Sequence, residues 1–470
     1  MNLAPSGPFC SGFVRRAEKN RKKILMKKIK IALMSFLALL SLLWMLADSL
    51  VPVPFTYGAF RTVFMQYSGT IAMGAMSLAM LLALRPTLIE AHLGGLDKIY
   101  RLHKWLGITA LLASLLHWWW GQGTKWMTQW GWLARPPRGA RPNPADLGLV
   151  EGWLRTQPGL AASAAVLAVG GVPAVRVLER VGGYEYRLFQ KTHKWLAVGY
   201  LAFVHHSIVL TKFAYWTQPI GLALAALMIV GSVAAVVVLA GRVGATRKVP
   251  GTVAALQYHP ASKVLETTVA LPYGWPGHAA GQFAFASFDP GEGAHPYTIS
   301  SCWDAQEKRI RFVTKALGDH TSRLHEILKI GAPVTVEGPY GCFRFEDARA
   351  AQIWIGAGIG ITPFMAKLGE LARAPESKAI DLFYATTSAD PAVLEKLRVD
   401  ADAAGVRLHV VESWRHGRLD AERIRSMVPG WAASSLWFCG PRQFAESLRE
   451  SFVENGLAPR DFHHECFEMR

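Results

Sequence analysis

Four histidines carry the first chemistry legible in this chain. His103 and His117 stand fourteen residues apart in the apolar stretch RLHKWLGITALLASLLHWWW (101–120). His193, and then His205 and His206, stand in a second one, KTHKWLAVGYLAFVHHSIVL (191–210). Fourteen helical residues rise about 21 Å and stop about 40° short of four turns, so His103 and His117 share one helix face at two levels. Two such helices can clamp two flat haems, each iron taking one axial imidazole from either helix. A single histidine here would read better as a core residue bonded to a neighbouring helix. Two pairs matched in depth do not, because ionisable side chains inside a membrane are costly and mark function. The second stretch fits the geometry less well. Thirteen residues to His206 fall about 140° short of four turns, and twelve to His205 overshoot three by about 120°. A tilt, or a bend near Gly199, has to make up the difference, and the choice between His205 and His206 stays open on spacing alone.

A second constellation lies far downstream. Gly356, Gly358 and Gly360 in GAGIGITPF (356–364) follow an apolar run and open a helical one. Glycines there permit a tight turn and let a pyrophosphate approach the backbone at a helix N-terminus. No acidic residue closes the next strand, so this is not the standard dinucleotide fingerprint. Around it stand HPYTISS (295–301), KALGDHT (315–321), GPYG (338–341), FCGP (438–441) and FHHECFEMR (462–470).

The elements that must hold these residues divide the chain. Its 470 residues call for two or three domains. Apolar runs of spanning length lie near 31–49, 62–84, 103–120, 157–178, 195–213 and 217–241, which predicts six transmembrane helices over residues 31–245. The formal charge of +17 does not indicate nucleic-acid binding. Much of it is packed into RRAEKNRKKILMKKIK (15–30), a basic cytoplasmic segment before the first span. Its length argues against a cleaved signal peptide. Arg85, Lys98, Arg101 and Lys104 then fall inside, as do Arg176, Arg180, Arg187 and Lys191, and Arg242, Arg247 and Lys248 after span six. Lys125, Arg135, Arg138 and Arg141 in the outer loop run against this pattern, but the balance places the C-terminal half in the cytoplasm. The segment 135–148 is a Pro/Gly-rich loop.

Residues 246–348 read as short alternating strands, TVAALQYHP, VLETTVALP, GQFAFASF, YTIS, RIRFVTKA and PVTVEGPYG, and predict a small antiparallel β-barrel. Residues 349–470 alternate apolar runs with helical segments and predict an α/β domain with a parallel sheet. The five cysteines (10, 302, 342, 439, 466) form no CxxC pair, and neither a disulfide framework nor a zinc site is expected.

The histidine spacing and the order of the downstream motifs together resemble the NADPH oxidase and ferric reductase superfamily. The likeness covers nearly everything past residue 60, with the part after about 250 similar to a ferredoxin-NADP reductase-like module. It implies a bacterial inner-membrane flavohaemoprotein with FAD, two haem b and NADPH or NADH. It favours His206 over His205, with the inner haem on His103 and His193 and the outer on His117 and His206. By the same likeness, His295, Pro296, Tyr297, Thr298 and Ser300 face the flavin, with Tyr297 stacked on its ring and Thr298 near its reactive nitrogen. Gly318, His320 and Thr321 bind the FAD pyrophosphate. Gly356, Gly358, Gly360, Thr362 and Pro363 border the nicotinamide dinucleotide. Cys439, Gly440 and Pro441 approach the nicotinamide, and Glu465 and Phe467 close over the flavin. On their own, Tyr297 reads equally as a core aromatic and Cys439 as a buried strand-end thiol.

Two departures matter. Where many NADPH-dependent relatives carry Arg after the second strand, Thr386 and Thr387 stand here, leaving Arg415 and Arg418 as substitutes. One helical turn past the outer span-three ligand, where animal oxidases hold another His, stands Gly121; Arg61 remains on the outer side of span two. The implied activity is electron transfer from cytoplasmic NAD(P)H to an extracytoplasmic acceptor, a ferric chelate or dioxygen. The alternative is an electron-donating subunit for a periplasmic redox protein.

Overall fold

The computed structural model describes residues 29–134, 152–153, 192–289, 292–387 and 390–465. The expected span 157–178, the basic segment before Ile29, the loop 135–148, residues 176–191, Cys10, Cys466 and Phe467 lie outside the described residues. Two compact units divide the chain at Val243/Gly244, with Gly94–Asp97 grouped with the second.

The first unit is helical: α1 (Ile29–Met45), α2 (Tyr57–Ala83), α3 (Thr87–Leu93), α4 (Leu96–Gln129), α5 (Leu196–Leu210) and α6 (Pro219–Leu239). The Thr56 hydroxyl accepts from Ala59 N and starts α2, and Pro219 sits in the first turn of α6, where its missing N–H costs nothing. Among the described residues, α6 alone is long and apolar enough to cross a membrane; α2 with α3, bent by 101°, makes a second candidate. The expected spans fall on α1, α2, α4, α5 and α6, but the count of six is not established by these helices. α1 and α5 are short, and α4, at 34 residues, dilutes its apolar face with polar and charged positions. Leu40, Trp44, Met73, Tyr200 and Met228 form the core of this unit. Tyr200 lies against α6 closely enough that a Cβ on Gly231 would come within 2.1 Å of its hydroxyl. That hydroxyl is hydrogen-bonded to Ser77 Oγ at 2.9 Å, so its burial leaves no unpaired polar group.

The second unit opens with six antiparallel strands: β1 (Lys248–His259), β2 (Val264–Ala270), β3 (Phe283–Ser287), β4 (His295–Thr298), β5 (Arg309–Lys315) and β6 (Pro333–Tyr340). Their order is β4-β3-β6-β1-β2-β5. An antiparallel bridge from Ile299, just past β4, to Phe312 on β5 joins the two edges, so the sheet closes on itself. Inside lie Val253, Val269, Ile310 and Phe312, each at most 1% exposed. These are the inward positions of the alternation seen in the sequence. Between β5 and β6 lies a short helix, α7 (Asp319–Ile327), which takes up the end of the KALGDHT motif.

The chain then builds five parallel strands: β7 (Ala351–Ala357), β8 (Ala379–Thr386), β9 (Arg407–Glu412), β10 (Ser434–Cys439) and β11 (Phe462–Glu465), in the order β11-β10-β7-β8-β9. Helices α8 (Thr362–Arg373), α9 (Pro391–Ala403), α10 (Ser413–His416), α11 (Ala421–Met427) and α12 (Arg442–Glu454) connect them. β10 is buried at all six positions, as a strand covered on both faces must be. Asp381 is the charged exception on β8. Arg407 and His409 on β9 bond it at 2.6–2.9 Å. Burial pushes its carboxyl up, but the His409 and Arg407 hydrogen bonds outweigh that and hold its pKa down to about 2. Arg373 to Asp304 at 2.9 Å and Lys396 to Glu266 at 3.0 Å tie the parallel-sheet half to the strand barrel.

Candidate electron-transfer sites

In the helical unit the four histidines meet in two pairs. The rings of His103 and His193 have centroids 6.0 Å apart, and those of His117 and His206 are 6.1 Å apart. Two imidazole nitrogens about 2 Å from one metal, with ring centres about 1.1 Å behind them, place the centroids about 6 Å apart. Both pairs therefore have the separation that a shared axial metal demands. It is His206, not His205, whose ring faces His117.

Helix α2 sets the tautomer of both α4 histidines. His103 Nδ1–H donates to Ala79 O at 2.9 Å. Ser68 Oγ donates its proton to Phe64 O at 2.7 Å, which leaves the Ser68 Oγ lone pairs to accept from His117 Nδ1–H at 3.1 Å. With Nδ1 protonated, Nε2 carries the ligand lone pair in each ring. Ser68 and Ala79 are eleven residues apart, close to three full turns, so they share one face of α2. Gly69 keeps that face open, since a Cβ there would stand 3.4 Å from His117 Cε1. The reading of the sequence missed Ser68 and Gly69. Their only signal was small residues facing a ligand helix, which no motif records.

The angular problem between His193 and His206 is solved by a break, not by a bend at Gly199. The helix that contains His193 gives way to a turn at Lys194–Trp195 before α5 begins. Trp195 N bonds Thr192 O, Ala197 N bonds Lys194 O and Val198 N bonds Trp195 O, at 3.0–3.1 Å. These are three-residue steps of 3₁₀ type. About four residues at that pitch add about 80° and about 2 Å to an α-helical path. Thirteen residues then cover nearly the same rise and rotation as the fourteen on α4.

In the barrel, His295 and His320 stack 3.9 Å apart at 9°. His320 Nδ1 bonds Glu292, and its Nε2 accepts from the Tyr297 hydroxyl at 2.9 Å. Glu292, His295 and His320 bring three ligand-type atoms within 4.8 Å of one another. Parallel stacked rings, however, hold their lone pairs in separate planes and cannot both aim at one ion. Tyr297 is 8% exposed and packs against Phe288 and Phe312. Burial raises the pKa of its hydroxyl, which stays an O–H donor. Thr298 and His295 on the same strand are half-buried. Ser300 is buried and donates to Arg311 O. At the start of α7, Thr321 Oγ1 accepts from Leu317 N and Gly318 N at 3.1 and 3.2 Å. A Cβ on Gly318 would meet nothing within 4 Å, so the backbone there is open to a ligand.

On the parallel sheet, the register sets Gly356, Cys439 and Glu465 side by side at the carboxyl ends of β7, β10 and β11. The glycines divide the work. Gly360 packs so tightly that a Cβ would stand 2.2 Å from Cys439 O, whereas Gly358, at φ 57°, faces open space. Gly440, at φ 155°, brings the turn after β10 against Ala357, and Pro441 caps α12. Thr362 and Pro363, both buried, start α8. The sequence-predicted residues thus gather at two places in this unit, the His295–His320–Tyr297 cluster and the β7–β10 strand ends. Glu292 is the member of the first that sequence reasoning missed.

Residues 68–204 match the family model described as the ferric reductase like transmembrane component. The chain is 32% identical to an NADPH oxidoreductase of Mycobacterium tuberculosis (strain ATCC 25618 / H37Rv) over 181 residues, 37% of this chain and 47% of that protein. It is 30% identical to the beta subunit of a heme-dependent oxidative N-demethylase of Ectopseudomonas mendocina (strain ymp) over 200 residues, 42% of this chain and 62% of that one. It is 28% identical to a vanillate O-demethylase oxidoreductase of Pseudomonas sp. (strain HR199 / DSM 7063) over 173 residues, 36% of this chain and 53% of that one. The chain spans about half the length of these relatives.

Proposed function

We propose that this chain is a ferric reductase-like oxidoreductase, similar in part to the proteins above, that carries electrons from cytoplasmic NAD(P)H, by way of FAD and two b-type haems, to an acceptor on the other side of the membrane. The observation that carries this reading is the pair of imidazole separations, 6.0 and 6.1 Å, at two levels of one helix pair. When bound, the flavin converts a two-electron donor into single electrons and the haems relay them.

The chain's own residues supply placement. His103 and His193 hold the inner haem; His117 and His206 hold the outer. Ala79 O and Ser68 Oγ fix the rings of the α4 ligands, and a fixed ring keeps its lone pair directed at the metal. Levels about 21 Å apart cover much of a hydrocarbon core of about 30 Å. His295, His320, Thr298 and the open backbone at Gly318 form the flavin side. Gly358 and the Cys439–Gly440 turn let the nicotinamide approach the sheet edge closely, and Glu465 stands beside that edge. With His103 and His193, and His117 and His206, committed to holding the haems, an acceptor such as a ferric chelate or dioxygen would have to be reduced without binding the metal. The basic segment before the first helix and the Arg242–Lys248 cluster after α6 favour a cytoplasmic second unit. The residue ranges 31–245, 246–348 and 349–470 serve as the haem, flavin and nucleotide domains.

A second reading draws on the relatives named as oxidoreductase components and subunits. Here the terminal acceptor is a periplasmic redox protein. Purified protein in liposomes, with NADPH outside on the flavin side and an acceptor trapped within, tests both. Reduction of trapped ferric chelate, or superoxide formed inside, supports the first. Reduction only when a periplasmic extract is enclosed supports the second. A preparation lacking a Soret band after haem-replete expression overturns both.

A further inference from the structure

The chain enters the second unit through a short strap, and the strap is fastened to β6. Gly244 turns at φ 67°, Ala245–Arg247 make one 3₁₀ turn closed by Arg247 N to Gly244 O at 2.9 Å, and β1 begins at Lys248. Two features require glycine at 244. Its φ lies in the left-handed region, and a Cβ there would fall on the Glu337 carboxylate. Glu337, on β6, is 3% exposed. A carboxylate so placed must be held by partners. The Tyr340 hydroxyl donates to its Oε1 at 2.8 Å, and Lys248 Nζ stands 4.0 Å from its Oε2. Arg247 completes the fastening. Its guanidinium lies 5.1 Å from the centre of the Tyr340 ring, and its Nη1 donates to Pro339 O at 3.2 Å. Tyr340 thus meets the strap twice, by its ring at Arg247 and by its hydroxyl, through Glu337, at Gly244.

This grip acts on the strands that face the flavin in the reading above. Tyr340 lies opposite Phe283 on β3, and Phe283 lies opposite Thr298 on β4. The Phe283 and Tyr340 rings are 6.0 Å apart. Three residues side by side therefore connect the strap to Thr298. Units joined by a short linker move relative to each other by default, and transfer from one to the other needs a donor held in place. We propose that Arg247, Glu337 and Tyr340 are positioning residues for the passage of electrons out of the flavin: they fix the strap to the flavin-facing strands. Each NAD(P)H oxidised gives two electrons and one proton; the electrons reduce two ferric haems to ferrous, and the proton passes to water. The three residues carry none of these and act only by holding the donor side still. An artificial dye that meets the flavin by diffusion does not need the strap. The inference rests on reading this chain as a flavin-to-haem carrier.

Two measurements on the full-length holoprotein test it. Hydrogen exchange reads the strap itself: amides of residues 244–248 are expected to exchange about tenfold faster in R247A and in E337Q than in the wild type. Anaerobic stopped-flow mixing with NADPH reads the step. Haem reduction at the Soret band should slow by about tenfold or more, while flavin content and dye reduction stay within about twofold of the wild type. G244A, which pushes the strap off Glu337 from the other side, should give the same split. R247K keeps a cation over Tyr340 and a donor for Pro339 O, and should restore most of the rate. A merely structural role would lower flavin content, dye reduction and haem reduction together. That outcome, or unchanged strap exchange, or unchanged haem reduction in R247A and E337Q, overturns the positioning assignment alone. Haem that NADPH fails to reduce in the wild-type protein, with dye reduction intact, overturns the flavin-to-haem reading and this assignment with it.

Discussion

The two histidine-bearing stretches reach the same geometry by different routes. On α4, His103 and His117 belong to one unbroken helix of 34 residues. On the facing stretch, His193 and His206 are separated by the turn at Lys194–Trp195 and its three-residue hydrogen bonds. A continuous helix converts sequence spacing into position by a fixed rule, so its ligands can be read directly. A broken one does not, because the rotation depends on a local change of hydrogen-bond step that residue types barely encode. Both α4 rings are oriented by α2, through Ala79 O and Ser68 Oγ.

Removing ligands gives the largest expected effect. His117→Ala or His206→Ala should lower haem per chain from two to one in a pyridine haemochrome assay. Transport into acceptor-loaded liposomes should fall to the level of empty ones, while dye reduction on the flavin side persists. His205→Ala should keep both haems. Loss of a haem from His205→Ala, with His206→Ala unaffected, would reverse the pairing assigned from the ring separations.

A smaller effect should separate the two routes. One Ala inserted after Ala110 turns His117 by about 100° on a helix that cannot absorb it, and the outer haem should be lost. One Ala inserted between Lys194 and Trp195 falls in a turn that can re-form around it, and both haems should be retained with a broadened low-temperature α-band. Equal haem loss in the two insertions would mean that the turn is as rigid as the helix. Smaller again is Ser68→Ala, which removes the Ser68 acceptor from His117 Nδ1 and leaves the Met65 backbone as its remaining partner. Loss of such an outer partner typically weakens metal retention by about 10–100-fold. Competition with apomyoglobin should therefore strip the outer haem from this variant before the inner one.

The same contrast explains how far the sequence could be read in the second unit. The six antiparallel runs were legible because alternation with period two survives in any half-buried strand. β7, β8 and β10 were legible as continuous apolar runs covered on both faces. The strand-end convergence of Gly356, Cys439 and Glu465 was reachable only through the motif resemblance, because parallel register is fixed by packing between residues far apart in sequence, Gly356 with Cys439 and Cys439 with Glu465. Glu292 was not legible at all. It sits in a turn, and its partner His320 comes from α7, a short helix with no strong signal of its own in the sequence. The span count was read from hydropathy alone, and on α4 the hydropathy signal is diluted by the polar and charged positions that this helix carries.

Asp381 gives the smallest and most local test, and it contrasts a buried charge in the sheet with the buried imidazoles of the helices. Its carboxyl sits at about 2 in the folded chain because, against the upward push of burial, His409 and Arg407 bond it. An unfolded Asp titrates near about 3.9. A folded value below the unfolded one means that the unfolded state takes up the proton first as pH falls. The stabilisation is therefore fully present above about pH 4 and is lost between about pH 4 and pH 2. Arg407 is 67% exposed at its side chain, so solvent screens its share and the net effect is modest. Thermal melts of the wild-type protein should show a downward slope in Tm across that acid window, and Asp381→Asn should flatten it while lowering Tm slightly at neutral pH. An identical slope in the two proteins would place the acid sensitivity on other carboxylates, such as Asp347, which burial pushes up but Ser435, Arg349 N–H and Trp437 together hold down.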